Sequence, residues 1–349
     1  MTQRAVTPAE IEHAARVLLE GGLVAFPTET VYGLGADADS PEAVAKIYEA
    51  KGRPSSHPVI VHVAQTQDIQ HWCRDIAPQA WALARAFWPG PLTMILKRHE
   101  AVDSSVSGGQ DTIGVRCPSH PVAHALLTEF AALKSKAGQL RAGVAAPSAN
   151  RFGRVSPTRA QHVREEFAQL CSQGMPVLEG GDSEVGIEST IVDLSSIAHT
   201  GVASLLRPGA ITMCDLSQVL GIEVTGQLDS SPRVSGSLKA HYAPTTPLAL
   251  CLAPEMSNLV HAWLLNNAGR LAVMTRQPLT GLDDRVVQLP MPESASAYAR
   301  DLYDTLRQVD RLGVAAVICE QVPDEVQWAG VRDRLIRAAA TFEGGSHTD

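Results

Sequence analysis

The stretch "AKGRPSSHPVIVHV" (50–63) sets Lys51 and Arg53 on either side of a glycine, then Pro54 and a polar turn, then an apolar run broken only by His62. Proline holds φ at about −65°, so two cations sit on a stiffened turn at the mouth of a strand. A turn that only connects elements does not need this. A turn that grips an anion does, because arginine offers a planar fork of donors and lysine a compact point charge. "VIVHV" (59–63) is short and β-branched, which reads as a buried strand.

The same motif of a buried run ending in polar residues recurs on both sides. Upstream, Thr7 predicts a helix N-cap, Pro8 its first turn and Glu10 a capping box. Ile11, Ala14, Ala15, Leu18 and Leu19 form its apolar face, and Gly21-Gly22 ends it. "LVAF" (23–26) is a strand, and Ser40-Pro41 opens a second helix carrying Val44, Ile47 and Tyr48. Downstream, a helix over 77–88 leads through "WPGP" to the strand "LTMILK" (92–97). Further strands read at 113–116, 143–146, 189–194 and 204–206, with helices over 120–131 and 157–168 and a mobile surface loop at 134–143. Several strands follow one another without a helix between them, so the fold class is α/β with a mixed sheet.

Residues 221–246 lose periodicity and are rich in Ser, Gly, Pro and Thr, which reads as a linker. Beyond it "PLALCLA", "RLAVMTR" and "VAAVICE" alternate with helical segments over 254–267, 292–312 and 324–340. That pattern predicts a smaller parallel, Rossmann-like α/β domain over 247–340. The tail "EGGSHTD" (343–349) is expected to fray.

Bulk properties exclude several classes. Net charge is −8 and both halves are acidic, so no face coats nucleic acid and any cationic function is a local pocket. No run of about 18 apolar residues predicts a membrane span, and "MTQRAVTPAE" has no apolar leader region. The six cysteines are scattered without a C-x-x-C, which fits reduced thiols of a cytoplasmic protein and no zinc site. Neither nucleotide-binding glycine signature is present, so a nucleotide would bind by another route.

Four polar clusters close predicted strands. "FPTETVYGLGAD" (26–37) presents Thr28, Glu29, Thr30 and Tyr32. The opening stretch presents Lys51, Arg53 and His62. "VAAPSANRFGRVSPT" (144–158) presents Ser148 and Asn150, with Ser156 and Thr158 at a helix start suited to an anion. "GIESTIVD" with "LLRPG" presents Ser189, Thr190 and Arg207, and "TIGVRCP" adds Arg116. Read singly, each is as well explained by capping, a solvated turn or a satisfied core histidine. Jointly, four strand-end cations without a Ser-His or Cys-His nucleophile fit positioning and charge stabilisation in phosphoryl or nucleotidyl transfer.

Taken in order, "FPTETVYGLG", "KGRPSSHPVIVHV", "PGPLT", "TIGVRCPSHP", "APSAN", "GIESTIVD" and "RPG" resemble the successive motifs of the threonylcarbamoyl-AMP synthase (YrdC-like) family. The resemblance covers residues 7–212, and the linker, "HYAP" (241–244) and second domain match the family's longer form. It implies a twisted open mixed α/β sheet with a basic cavity that joins L-threonine, bicarbonate and ATP into threonylcarbamoyl-AMP and pyrophosphate, for threonylcarbamoyladenosine modification of tRNA by a separate transfer complex. It implies Mg2+ on the ATP phosphates and at most weak direct binding of tRNA. By motif position Thr30, Tyr32, His62, Arg116 and Ser189 would hold threonine. Lys51, Arg53, His57, Thr112, Ser148, Asn150, Ser156, Thr158, Arg207 and Tyr242 would surround ATP, with Lys51 and Arg53 catalytic and Lys239, His241 and Tyr242 in a lid. The chain departs from the family pattern at His57, where asparagine is usual, and in its linker. Two other functions fit some of the same features: an RNA-binding module without turnover, and a carbamoyl-transfer enzyme with a different acceptor amine.

Overall fold

A computed structural model describes residues 5–236 and 241–340. Lys239 and the tail at 343–349 lie outside the described residues. The chain divides into two units, Met1–Phe152 with Pro157–Ser237, and Gly153–Ser156 with Leu238–Asp349.

The first unit contains strands β1 (Val24–Phe26), β2 (Gly33–Asp37), β3 (Ile60–His62), β4 (Leu92–Lys97), β5 (Thr112–Arg116), β6 (Val144–Ala145), β7 (Thr190–Asp193), β8 (Ala203–Arg207) and β9 (Val224–Thr225). They form one sheet in the order β1-β2-β6-β3-β5-β4-β7-β8-β9. The pairs β3–β5, β4–β7 and β8–β9 are parallel and the others antiparallel, as expected of strands linked both by helices and by direct turns.

Local signals set the helix ends. The first helix, Pro8–Leu19, has both arms of its capping box: Glu10 N–H reaches Thr7 Oγ1 at 3.3 Å and the Thr7 N–H reaches Glu10 Oε2 at 2.8 Å. Such a cap contributes about 1 kcal/mol. Ser40 caps the helix Pro41–Lys51. Alternation in the central strands then divides the sheet. Val61, Ile113, Val115, Leu92, Met94, Leu96 and Val192 point into the main core, with Val44 and Ile47 of the second helix and Leu83 of the helix Pro78–Phe87. Their neighbours point to the other face, which holds the candidate site.

The structure corrects several expectations. "GLGAD" is not a turn but β2, paired antiparallel with β1. Its glycines hide the strand and make it possible, since a Cβ on Gly35 would lie 2.7 Å from Val144 Cγ1 and 2.8 Å from Phe26 Cε1. Lys51 is the last helical residue rather than part of a turn. The segment 134–143 is no free loop: the helix Pro121–Lys136 runs into it, and buried Lys134 Nζ meets Asp37 Oδ2 at 2.7 Å, while Arg141 Nε meets Asp39 Oδ1 at 2.6 Å. No helix opens at Ser156-Pro157-Thr158; it begins at Ala160 and ends at Glu166. Residues 224–225 of the expected linker form β9.

The second unit is a parallel four-stranded sheet, β10 (Leu248–Cys251), β11 (Leu271–Thr275), β12 (Val286–Pro290) and β13 (Ala316–Glu320), in the order β10-β13-β11-β12. Its helices span Met256–Asn266, Ala295–Arg311 and Ala329–Ala339. β12 escaped the sequence reading because exposed Gln288 interrupts its short apolar run. Among the described residues no helix is long and apolar enough to cross a membrane. All six cysteines are free thiols.

Candidate active site

The residues opposite the core face make the site. Ile60 and His62 of β3, Thr112, Gly114 and Arg116 of β5, Thr93 and Ile95 of β4, and Ile191 of β7 share it by the two-residue period of a strand. Register places His62 beside Arg116, Ile60 and Ile95 beside Gly114, Thr93 beside Ile191, and Ile191 beside Arg207. His62, Arg116 and Arg207 are the last residues of β3, β5 and β8, and Ser189 immediately precedes β7, as expected of polar residues at strand ends. Gly114 keeps the middle of that face low, since a Cβ there would stand 3.2 Å from Ile95 Cδ1 and 3.4 Å from Ile60 Cγ1.

One end of the face gathers His62, Arg116, Ser189 and Arg207. Arg207 donates to Ser189 twice, Nε to the carbonyl at 3.0 Å and Nη2 to the hydroxyl at 3.1 Å. The Ser189 hydroxyl also lies 2.8 Å from Thr93 Oγ1. Arg116 Nη2 stands 2.7 Å from Glu29 Oε1, with both side chains 5% exposed. Burial, and then the Arg116 charge, push the His62 imidazole down to about 3, so it is neutral at ordinary pH. It is not the satisfied core histidine of the plain reading, because its buried Nδ1 has no hydrogen-bond partner. Thr30 Oγ1 lies 2.8 Å from Thr28 Oγ1.

At the other end, buried Lys51 donates to the carbonyls of Ser148, at 2.5 Å, and of Asn150. Burial, reinforced by Arg53, holds the Lys51 ammonium well below the ordinary lysine value. Arg53 Nη2 donates to the Pro58 carbonyl at 2.8 Å. His57 packs edge-on against Phe152 at 5.4 Å between centroids, and burial followed by the charges of Arg53 and Arg233 lowers its pKa. Protonation of His57 therefore belongs further below neutrality than its residue type alone implies.

Between the two ends Ile60, Ile95, Ile191 and Leu206 form an apolar patch with Val234 packed on it. The neighbouring Ser235 bridges the cations: Arg207 Nη1 donates to its carbonyl at 2.9 Å, and Arg53 Nη1 and Nη2 reach its hydroxyl at 3.5 and 3.4 Å. Gln110 clasps the Arg233 backbone, accepting from its N–H at 2.8 Å and donating to its carbonyl at 3.0 Å. Thr112 lines the same crevice as Val234 and Ser235.

Four other expected site residues are held by contacts within their own units. The Tyr32 hydroxyl is committed to the main chain, donating to Gly181 O at 2.9 Å and accepting from Gly180 N at 3.2 Å, and burial raises its pKa. Thr158 is buried, with its N–H on His162 Nδ1 at 3.3 Å. The expected anion site at a helix start does not form there, because the helix begins after Arg159, which makes no side-chain cap. Ser156 belongs to the second unit, where its carbonyl accepts from Arg307 Nε at 3.4 Å. Tyr242 also belongs to the second unit, with the Arg334 guanidinium 5.2 Å from its ring centroid.

The sequence reading missed Thr93, Gly114, Ile60, Ile95, Ile191 and Val234. Alternation along "VIVHV", "LTMILK" and "TIGVR" was the signal that could have found the first four on strands, because it separates site positions from core positions.

A family profile described as "Threonylcarbamoyl-AMP synthase, C-terminal domain" matches residues 211–340, and one described as "Telomere recombination" matches residues 16–209. The chain is 37% identical over 338 residues to the Bacillus subtilis protein named threonylcarbamoyl-AMP synthase, covering 95% of this chain and 93% of that one. The chain belongs to the threonylcarbamoyl-AMP synthase family. Its Pyrococcus abyssi relative of that name is 34% identical over 341 residues, covering 95% and 94% of the two chains. The solved structure of P. abyssi Sua5 complexed with L-threonine superposes with a TM-score of 0.83 at 32% identity, covering 96% of each chain. Two-domain synthases of this family thus share the whole length of the chain, both sheets included.

Proposed function

We propose that this chain is an L-threonylcarbamoyladenylate synthase: L-threonine, bicarbonate and ATP give threonylcarbamoyl-AMP and pyrophosphate. The observation that carries the reading is chain-long similarity, 37% identity over 338 residues, to a protein of that name. In the chemistry, the threonine amine attacks bicarbonate-derived carbon and water leaves, giving a carbamate. A carbamate oxygen then attacks the α-phosphorus of ATP and pyrophosphate departs in line.

Each end of the sheet face suits one part of this. Arg116, Ser189 and neutral His62 suit a small amino acid: a guanidinium for its carboxylate, with a hydroxyl and an imidazole as neutral polar contacts. Arg53 and Arg207 suit the phosphates, since their donors now held by Ser235 match phosphate oxygens. The apolar patch under Val234 suits a flat adenosine moiety. Lys51 has two of its protons on main-chain carbonyls and holds the "APSAN" turn in place as much as it offers charge. The protein's contribution is proximity and charge neutralisation, with no covalent intermediate.

Mg2+ would come on the phosphate oxygens of ATP and neutralise their charge. Among the described residues no group of three or more His, Cys, Asp or Glu could hold a metal ion. The product would pass to a tRNA threonylcarbamoyl-transfer complex, with little direct grip on tRNA from so acidic a chain. Mass spectrometry of a reaction containing L-threonine, bicarbonate, ATP and Mg2+ tests this reading. Threonylcarbamoyl-AMP as the new species supports it; carbamoyl-AMP without threonine would assign the chain to carbamoyl transfer instead.

A further inference from the structure

The threonine end of the face contains a buried carboxylate for which no role has been given. Glu29 lies between β1 and β2, and its backbone carbonyl accepts from Val185 N at 2.8 Å. Its Oε2 accepts from Ser119 N at 3.2 Å. Its Oε1 faces Arg116 Nη2 at 2.7 Å. The closeness is not a fork: neither of these two buried atoms makes a hydrogen bond, whereas arginine and carboxylate ordinarily align two N–H···O bonds when nothing else competes. The one hydrogen bond that the Arg116 guanidinium does make is long, Nε to the Gly90 carbonyl at 3.4 Å. Beside it on the adjacent strand His62 keeps a buried Nδ1 equally unmatched.

Buried polar atoms are nearly always matched, and each exception calls for an explanation. Here three such atoms meet at one end of the site face. The pair balances charge while leaving the Arg116 Nη2 donor without a hydrogen bond. Glu29 is itself anchored from the opposite side by Ser119 and Val185, so it can hold the guanidinium without following it. Resting on the threonine-dependent reading above, we infer that Glu29 is the positioning residue of the amino-acid subsite. It neutralises Arg116 and fixes the direction of the guanidinium, so that an α-carboxylate completes the hydrogen bonding that Glu29 leaves open. Discrimination in favour of a small amino acid then depends on Glu29 without Glu29 touching the phosphates.

Glu29→Gln in the full chain tests this, because glutamine keeps the volume and an acceptor for Ser119 N–H but loses the charge facing Arg116. The expected result is a rise of about tenfold or more in the KM for L-threonine, with the KM for ATP within about twofold of wild type. Calorimetric titration of L-threonine should weaken in parallel. Glu29→Asp, which keeps the charge but draws it back from Arg116, should raise the threonine KM by less, and it serves as the test if the glutamine variant fails to fold. A threonine KM that stays at the wild-type value in the folded variant, or threonine and ATP constants that rise together, overturns the inference while leaving the synthase reading intact. Wild-type protein that neither binds L-threonine nor turns over in its presence overturns both.

Discussion

Arg207 holds Ser189 through both its carbonyl and its hydroxyl, at 3.0 and 3.1 Å, and so ties the end of β8 to the start of β7 on the face that carries the site. The guanidinium's third arm reaches Ser235 at 2.9 Å. One side chain therefore orients a hydroxyl of the threonine end while aiming a charge at the phosphate end. Lysine cannot reproduce a planar fork. Arg207→Lys should retain the charge but release Ser189, raising the threonine KM by about tenfold and lowering stability by about 1–3 kcal/mol through unmatched buried groups. Steady-state constants and a melting curve read the two effects separately.

Buried Arg53 donates from Nη2 to the Pro58 carbonyl at 2.8 Å. Nη1 and Nη2 also reach the Ser235 hydroxyl at 3.5 and 3.4 Å, contacts long enough to be exchanged for phosphate oxygens. Arg53→Ala should lower kcat about 10²–10³-fold, the loss typical of one electrostatic donor to a developing charge. Turnover close to wild type would remove Arg53 from the catalytic role.

Val234 covers Ile60, Ile95, Ile191 and Leu206, and Ser235 occupies the donors of two arginines. If the nucleotide takes these positions, the strap must leave first and its packing opposes ATP. Val234→Ala removes about 1–2 kcal/mol of burial and should lower the KM for ATP several-fold. A raised KM would mean that Val234 packs on the bound nucleotide instead.

The neutral state of His62 makes a signed statement about acid. Its pKa in the folded chain is about 3, against 6.5 for an ordinary histidine. Between those values the unfolded chain binds the proton and the folded chain does not, so stability is full above pH 6.5 and declines as pH falls toward 3. The slope approaches about 1.4 kcal/mol per pH unit for one proton. His62→Gln should flatten that part of a denaturation series measured from pH 7 to pH 4, and it should not create or abolish a pKa in the activity profile between pH 6 and 9.

Much of this architecture is legible in the chain before any coordinates. Thr7, Pro8 and Glu10 announce the first helix because capping is local, and "LTMILK" is the whole of β4 because a short buried strand reads as an apolar run. What local chemistry does not encode was lost. β2 is rich in glycine and reads as a turn, although close packing against Phe26 and Val144 is what demands the glycine. Lys134 reads as part of a surface loop, but its partner Asp37 is distant in sequence. Arg116, Ser189 and Glu29 all stand out in the sequence, whereas the pairing of Glu29 with Arg116 does not. "TETVYG" gives no sign of which of its side chains turns inward, and only the tertiary structure brings Glu29 and Arg116 together. The expectation of an anion site at Ser156 failed for a related reason: a Ser-Pro-Thr sequence resembles a helix start, yet the helix begins only at Ala160.

The most direct test of the central claim is pyrophosphate release by the purified full chain with ATP, Mg2+, bicarbonate and L-threonine, omitting each in turn. The account predicts release only when all are present, and its loss in Arg53→Ala. Release that proceeds without L-threonine, or none under any mixture, would contradict it.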